Sequence, residues 1–355
     1  MVLNGLIAPG PAAIHSSDAI DPSVAGLQRV ANRPIVCHAL QRLRDAGVRD
    51  AALVVPAEAS AEIQARAAAE GPTDLVGRCF AYDDDASAPQ ALSAAIAFLG
   101  DAPCIVHPPN GLLAAPLTPF VELLGADGPD LVALVRGETG EVDSVGIAVR
   151  RLLRMGDHSP RGGATPGLSG ICVFGKGGLR LAQEVNWRPG CESDLVIVAE
   201  RLVNAGGALR IGDVEEWRTY TGNTLELLEI NRIALDALGP QLEPVQGDNN
   251  RIEGHVTVHP SATVQSSVII GPAIIGPRAL VSESYIGPYT SIGANAHIEG
   301  AEVERSIVLA GARIMHVGGR LVASVVGRDA RILRDFSLPR AIRLNVGDGG
   351  EVVLC

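Results

Sequence analysis

Between Ile252 and Ile332 the chain repeats itself, and that stretch constrains the fold more than any other. An aliphatic residue followed by a glycine, small or polar residue returns at Ile270, Ile275, Ile286, Ile292 and Ile298, and less strictly at Val303, Ile307, Ile314 and Val326. The steps from Ile286 to Ile292 to Ile298 are six residues long, the hexapeptide period of a parallel β-helix. In such a coil one aliphatic side chain per short strand points at the axis. Gly287, Gly293 and Asn295 are expected at the corners, where a sharp turn calls for positive φ. A sandwich of short strands is the competing architecture, and the six-residue spacing argues against it.

The repeat leaves some 240 residues upstream, enough for a second domain. Hydrophobic residues make up 47% of the chain, with no apolar run of membrane-spanning length. Aromatics are only 3%, so the core must be built from Ala, Val, Leu and Ile. A net charge of −11 argues against a nucleic-acid surface. Cys37, Cys79, Cys104, Cys172, Cys191 and Cys355 contain no C-x-x-C pair, which fits reduced thiols better than a disulfide frame or a zinc site. The start, MVLNGLIAPG, carries no basic region or cleavage site of a secretion signal, so a cytoplasmic location is expected. Lys176 is the single lysine.

Upstream of the repeat, short apolar runs alternate with helical periodicity. Strands are expected in LNGLIAP and at 51–57, 78–82, 104–107, 131–136, 145–150 and 170–174. Helices are expected at Pro34–Asp45, Ala59–Ala69 and Pro89–Leu99, from Pro119, and at Thr224–Leu238. Strands separated by helices of this length imply right-handed crossovers and a mostly parallel, Rossmann-like sheet. The expected architecture is therefore an α/β domain over residues 1–240 and a left-handed parallel β-helix with a C-terminal tail over 241–355. Gly239-Pro240 and the polar run 246–250 mark the hinge.

Particular segments narrow the class. VANRPIVCHALQRLRDAGV resembles the sugar nucleotidyltransferase segment in which a Val-Ala-Asn-Lys-or-Arg-Pro-Ile turn opens a helix. EEWRTYTGNTLELLEINRIAL is similar to the same family's Trp-containing strand and the helix after it. SYIGPYTSIGANAHIEGAEVERSIVLAGARI and PRAIRLNVGDGGEVVL resemble the tail of one branch, the long-form glucose-1-phosphate thymidylyltransferases. The resemblance runs from end to end and implies metal-assisted transfer: a sugar 1-phosphate oxygen attacks the α-phosphorus of a nucleoside triphosphate, and pyrophosphate leaves. Negative charge gathers between two phosphates, so cations and backbone N–H groups must hold it.

The parts that the resemblance implies do not read in this chain. Where the family shows Ala-Gly-Gly-x-Gly-Thr-Arg-Leu, the residues are Ala8-Pro9-Gly10-Pro11-Ala12-Ala13-Ile14-His15. Pro9 and Pro11 each lack an N–H, and the cation position falls near Ile14. A shifted loop using His15, Ser16 and Ser17 is the alternative. The family's first lysine falls near Ala25, and its second in RMGDHSP at 154–160, which holds neither Glu nor Lys. The carboxylates that hold Mg²⁺ correspond to Pro109 and to Tyr220 or Thr219. The turn that makes room for the base reads Ala91-Leu92-Ser93-Ala94-Ala95.

Three functions follow. One is a degenerate homologue acting as a structural, regulatory or assembly partner, with no metal site and no cofactor. Another is an active sugar-1-phosphate nucleotidyltransferase with a rebuilt site, which would need Mg²⁺. The last is a small-molecule sensor in the old cleft, taking a nucleotide or sugar phosphate, with Gly10, Arg29, Asn32, Arg33, Asn110, Gly170, Trp187 and Trp217 as lining. Other candidate groups are His259, His297 and His316 on the coils, the triplet Asp83-Asp84-Asp85, and Cys104 with His107. Each has a plainer reading, as solvated corners, a solvated turn, and two side chains on opposite faces of one strand. Exposed coil ends and faces imply a homo-oligomer or a hetero-oligomer with an active relative, and no membrane partner.

Overall fold

The computed structural model describes residues 2–9, 22–84, 86–124, 130–136, 167–189, 191–214, 216–239 and 245–334. The expected strand at 145–150, the segment 154–160, Gly10, Ile14, Asp85, Cys355 and the closing PRAIRLNVGDGGEVVL lie outside those residues.

The first two thirds of the chain form an α/β domain. Its elements are β1 (Asn4–Ile7), α1 (Pro22–Ala25), β2 (Arg29–Val30), β3 (Arg33–Pro34), α2 (Ile35–Asp45), β4 (Asp50–Pro56), α3 (Ala57–Glu70), β5 (Val76–Tyr82), α4 (Ala88–Leu99), β6 (Cys104–His107), β7 (Gly111–Leu113) and α5 (Thr118–Glu122). Then come β8 (Asp130–Arg136), β9 (Gly167–Phe174), α6 (Gly178–Glu184), α7 (Glu192–Asn204), β10 (Ala208–Asp213), β11 (Trp217–Thr219) and α8 (Thr224–Asp236). Among the described residues seven strands form one sheet in the order β10-β8-β9-β6-β1-β4-β5. All neighbours are parallel except β9, which runs antiparallel to both β6 and β8. The stretch from α6 to β10 was not among the expected elements.

Alternation along the strands sorts side chains onto two faces. Leu6, Val54, Cys104, Val106 and Phe174 belong to one core layer, while Ile7, Leu53, Ile105, Val132 and Trp217 belong to the other. The α2 helix forms because Ile35, Val36, Ala39, Leu40 and Leu43 fall on one face, and all five are buried against the second layer or the inter-domain core.

From Arg251 to Leu333 fifteen strands of two or three residues stack into three all-parallel five-stranded faces, the left-handed parallel β-helix. Equivalent positions such as Val256, Ala273 and Thr290 lie 17 residues apart, so one coil is three near-hexapeptide sides. Ile275, Val281, Ile286, Ile292 and Ile298 fill the axis together with Ile269, which takes the place expected of Ile270; Ile270 is only half-buried. The corners differ in part from expectation. Asn295 does take positive φ (57°), as do Ser266, Glu283, Arg305 and His316 in the adjoining coils, but neither Gly287 nor Gly293 does. Gly293 is needed for closeness instead, since a Cβ there would stand 2.7 Å from the Ala310 amide of the next coil.

The two domains are joined by a bonded seam. Helix α8 lays Leu227, Ile230, Ile233 and Ala234 into a core completed by Val30, Ala31 and Ile35 on one side and by Ile274, Ile307, Leu309 and Val325 of the coils on the other. Asn231, fully buried on that apolar face, is its polar pin. Its Oδ1 accepts from the Ala31 amide (2.8 Å) and the Ser291 hydroxyl (2.6 Å), and its Nδ2 donates to the Tyr289 carbonyl (3.1 Å). Asn32 adds Nδ2 to the Ile292 carbonyl at 2.7 Å. Ala31 and Asn32 are both left-handed (φ 44° and 62°), so the turn points its donors at the coils.

Candidate functional site

In an open sheet of this kind ligands bind beyond the carboxyl ends of the strands, at the point where strand order reverses. Here that point lies between β1 and β6, because the chain runs outward from β1 to β4 and β5 and then returns to β6 on the other side. Its described floor is Ala8-Pro9 after β1 and Pro108-Pro109-Asn110 after β6, tied by the Ala8 amide donating to the His107 carbonyl (3.3 Å). Gly170 of β9 closes one side. Its φ of +76° is glycine territory, and a Cβ there would lie 3.5 Å from the Pro108 ring.

The short antiparallel pair β7–β11 sets Gly111 opposite Thr219 and Leu113 opposite Trp217. Asn110 and Tyr220, one step further along, bond reciprocally: the Tyr220 amide donates to the Asn110 carbonyl (2.9 Å) and Asn110 Nδ2 donates to the Tyr220 carbonyl (2.8 Å). The pair therefore brings Pro109 beside Thr219 and Tyr220, the two places where the resemblance puts metal carboxylates. Neither place holds one. The Tyr220 ring is buried in the inter-domain core, and burial, followed by the Glu226 charge, raises its phenol pKa. Glu226 is taken up by the Thr221 amide and hydroxyl (each 2.9 Å).

Trp217 is a buttress. It is 4% exposed, a Cβ on Gly111 would overlap its six-membered ring, and His107 meets it edge-on with centroids 5.4 Å apart. His107 Nδ1 donates to the Pro108 carbonyl (2.7 Å), and burial lowers its pKa to about 4, so the ring is neutral near pH 7.

The other expected site residues are spread. Ala25 is a fully buried packing residue of the seam core. Arg29 grips Glu70 in two bonds (2.6 and 3.0 Å), and Arg33 Nε donates to the Glu70 carbonyl (2.7 Å). Although burial opposes the charge, Arg29 and then Arg66 hold the Glu70 carboxyl below its ordinary pKa. Asn32 is spent on the coil. Trp187 packs edge-on to Phe174 in the first core layer, centroids 5.2 Å apart, rather than at the cleft. Lys176 is exposed.

Cys104 and His107 do fall in opposite faces of β6, with Cys104 in the first core layer and His107 against Trp217 of the second. Asp84 belongs to the turn that leads into α4, its Oδ1 accepting from the Ser87 amide (2.8 Å), and Asp83 donates its amide to the Ser87 hydroxyl. His259 bonds the Ser261 hydroxyl (2.9 Å), and Glu299 lies between His297 (3.1 Å) and His316 (3.5 Å). Asn231 was not singled out from the sequence; its signal was a lone amide among Ile230, Ile233 and Ala234.

No protein-family model matches the chain. A glucose-1-phosphate thymidylyltransferase of Streptomyces antibioticus is 28% identical over 341 residues, covering 93% of both chains. The low-salt glycan biosynthesis nucleotidyltransferase Agl11 of Haloferax volcanii is 26% identical over 92% of both. These relatives support a nucleotidyltransferase family. Among solved structures, a putative glucose-1-phosphate thymidylyltransferase of Bacillus anthracis in complex with a sucrose overlays with a TM-score of 0.46 at 14% identity, over 66% of this chain and 95% of that one.

Against a nucleotidyltransferase, the fit of Mg²⁺ can be judged from donor chemistry. The ion takes hard oxygen ligands, one or two of them carboxylates, with near-octahedral geometry. A proline ring, a hydroxyl and a buried phenol at positions 109, 219 and 220 do not supply that set. Among the described residues no group of three or more His, Cys, Asp and Glu could hold a metal. Among those residues, too, no helix is long and apolar enough to cross a membrane.

Proposed function

We propose that this chain keeps the scaffold of a sugar-1-phosphate nucleotidyltransferase without its transfer reaction, and serves as a structural or assembly partner. The observation that carries the reading is the Asn110–Tyr220 pairing, which aligns the two metal positions implied by the resemblance and leaves both without a carboxylate. Attack of a sugar phosphate on a triphosphate brings anions together, and the barrier is lowered by cations aimed at the developing charge. The Pro9, Pro108 and Pro109 rings supply neither charge nor N–H there. Arg29, the nearest cation to the family's first lysine position in sequence, is neutralised by Glu70. An arginine fork held in an ion pair is no substitute for a free ammonium.

The test is pyrophosphate release from dTTP or UTP with glucose 1-phosphate and Mg²⁺. The expected rate equals that of a protein-free control. Release that depends on both the protein and the metal would show a rebuilt site and overturn the proposal.

A further inference from the structure

Among the described residues, strand β5 is the outer strand of the seven-stranded sheet and pairs with β4 alone. The Val76 amide donates to the Arg49 carbonyl, toward β4. In a parallel ladder that sense recurs at every second residue, so Gly77, Cys79 and Ala81 turn their amides and carbonyls outward. Val76 is 64% exposed, and Gly77, Arg78 and Ala81 are exposed with it. Edge strands are ordinarily blunted by a lysine, a proline or a bulge. From Val76 to Ala81 there is no lysine or proline, and the β4 register runs without a shift. Arg78 does not project past the edge; its guanidinium lies over the rings of Phe80 (5.5 Å) and Phe98 (5.3 Å). The opposite edge is different, because β10 carries Arg210, paired with Asp130 at 2.7 Å, and ends on Asp213.

We propose that β5 pairs antiparallel with β5 of a second copy of this chain about a two-fold axis at Cys79, which makes one continuous fourteen-stranded sheet from the two seven-stranded ones. The proposal deepens the assembly reading above by naming the surface and the partner. Self-complementarity points to a second copy rather than a foreign strand. About Cys79, Gly77 faces Ala81, so the residues with outward backbone groups face one another and bond. Arg78 faces Phe80 of the partner copy, repeating between chains the cation–ring contact made within each. No like charges face each other within the strand. Asp74, just before it, is already neutralised by Arg44 (3.0 Å) and Arg49 (2.5 Å).

The test is sedimentation velocity of the reduced full-length protein at micromolar concentration, with cross-linking by mild oxidation. Hydrogen-bonded antiparallel partners have Cα atoms about 5.5 Å apart, within reach of a disulfide. Wild type is expected to associate and to yield a covalent dimer that Cys79→Ser abolishes. Ala81→Pro removes one outward amide without touching the β4 ladder, and Ala81→Lys adds a charge to an exposed position. Each is expected to weaken association at least tenfold, with unchanged circular dichroism for Ala81→Lys. A monomeric wild type overturns the proposal, as does association that Ala81→Lys leaves unchanged with no Cys79 link. The turnover assay is separate: a dimer that releases pyrophosphate sinks the functional reading alone, and an inert monomer sinks this one alone.

Discussion

The seam between the domains and the carboxyl edge of the sheet meet at Tyr220, whose ring lies in the seam core and whose backbone pairs with Asn110, yet they have opposite chemistry. At the seam two amide side chains are engaged: Asn231 serves three partners and Asn32 a fourth. At the edge, prolines stand where donors and carboxylates are expected, and the Asn110 amide is turned to backbone rather than to open space. Two of the segments that carry the family resemblance, VANRP and LEINR, are ones that bond one domain to the other. Such a resemblance reports the scaffold, and the chemistry has to be read separately.

The largest expected effect tests the claim that the edge is a packed wall. Trp217→Ala should destabilise the protein by about 3–5 kcal/mol in urea unfolding, since it empties the space above Gly111. A cost below about 1 kcal/mol would mean that the ring belongs to an open cleft. Next come two imidazoles, one beside each region: half-buried His38 bonds the Val30 carbonyl (3.0 Å) near the seam, and buried His107 stands at the edge. Burial lowers both from 6.5 to about 4. The folded state thus binds fewer protons than the unfolded one between those values. Stability is full above about pH 6.5 and falls toward pH 4, by about 3 kcal/mol at most from each ring. Unfolding followed across that window should show the decline, and His38→Gln or His107→Gln should flatten it.

Asn231→Ala should cost about 2–3 kcal/mol, because it strands the Ala31 amide, the Ser291 hydroxyl and the Tyr289 carbonyl in a buried site. Asn32→Ala, at a part-buried site with a single bond to lose, should cost about 1 kcal/mol. Denaturant midpoints of the two single variants and the double variant sharpen the comparison. If the two losses simply add, the seam is a set of separate bonds; a double-variant cost below the sum marks one cooperative lock.

The β-helix was legible because one aliphatic residue per side must face the axis, which writes the period directly into the chain. Its corners were less legible, since positive φ falls on Ser266, Glu283, Arg305 and His316 as coil geometry demands, whatever the residue. Most of the sheet was legible from apolar runs, while the antiparallel placement of β9 was not, because periodicity carries no strand direction. Helix α7 was readable from the helical spacing of Leu195, Val198, Ala199 and Leu202, and is missing from the expected elements all the same. At the site, the substitutions at 109 and 219–220 could be read from the resemblance. Their adjacency could not, because Asn110 and Tyr220 are 110 residues apart and meet only through β7 and β11. The roles of Arg29, Asn32 and Arg33 were hidden for the same reason, since Glu70 and the Ile292 carbonyl that hold them lie far along the chain.

The most direct test of a scaffold without transfer chemistry is a single-turnover experiment, with the protein in excess over labelled dTTP in the presence of glucose 1-phosphate and Mg²⁺. Excess protein removes any dependence on product release, so even a slow chemical step becomes visible. The account predicts that all label stays in dTTP after hours. Label appearing in a nucleotide-sugar, only with protein and metal together, would contradict it.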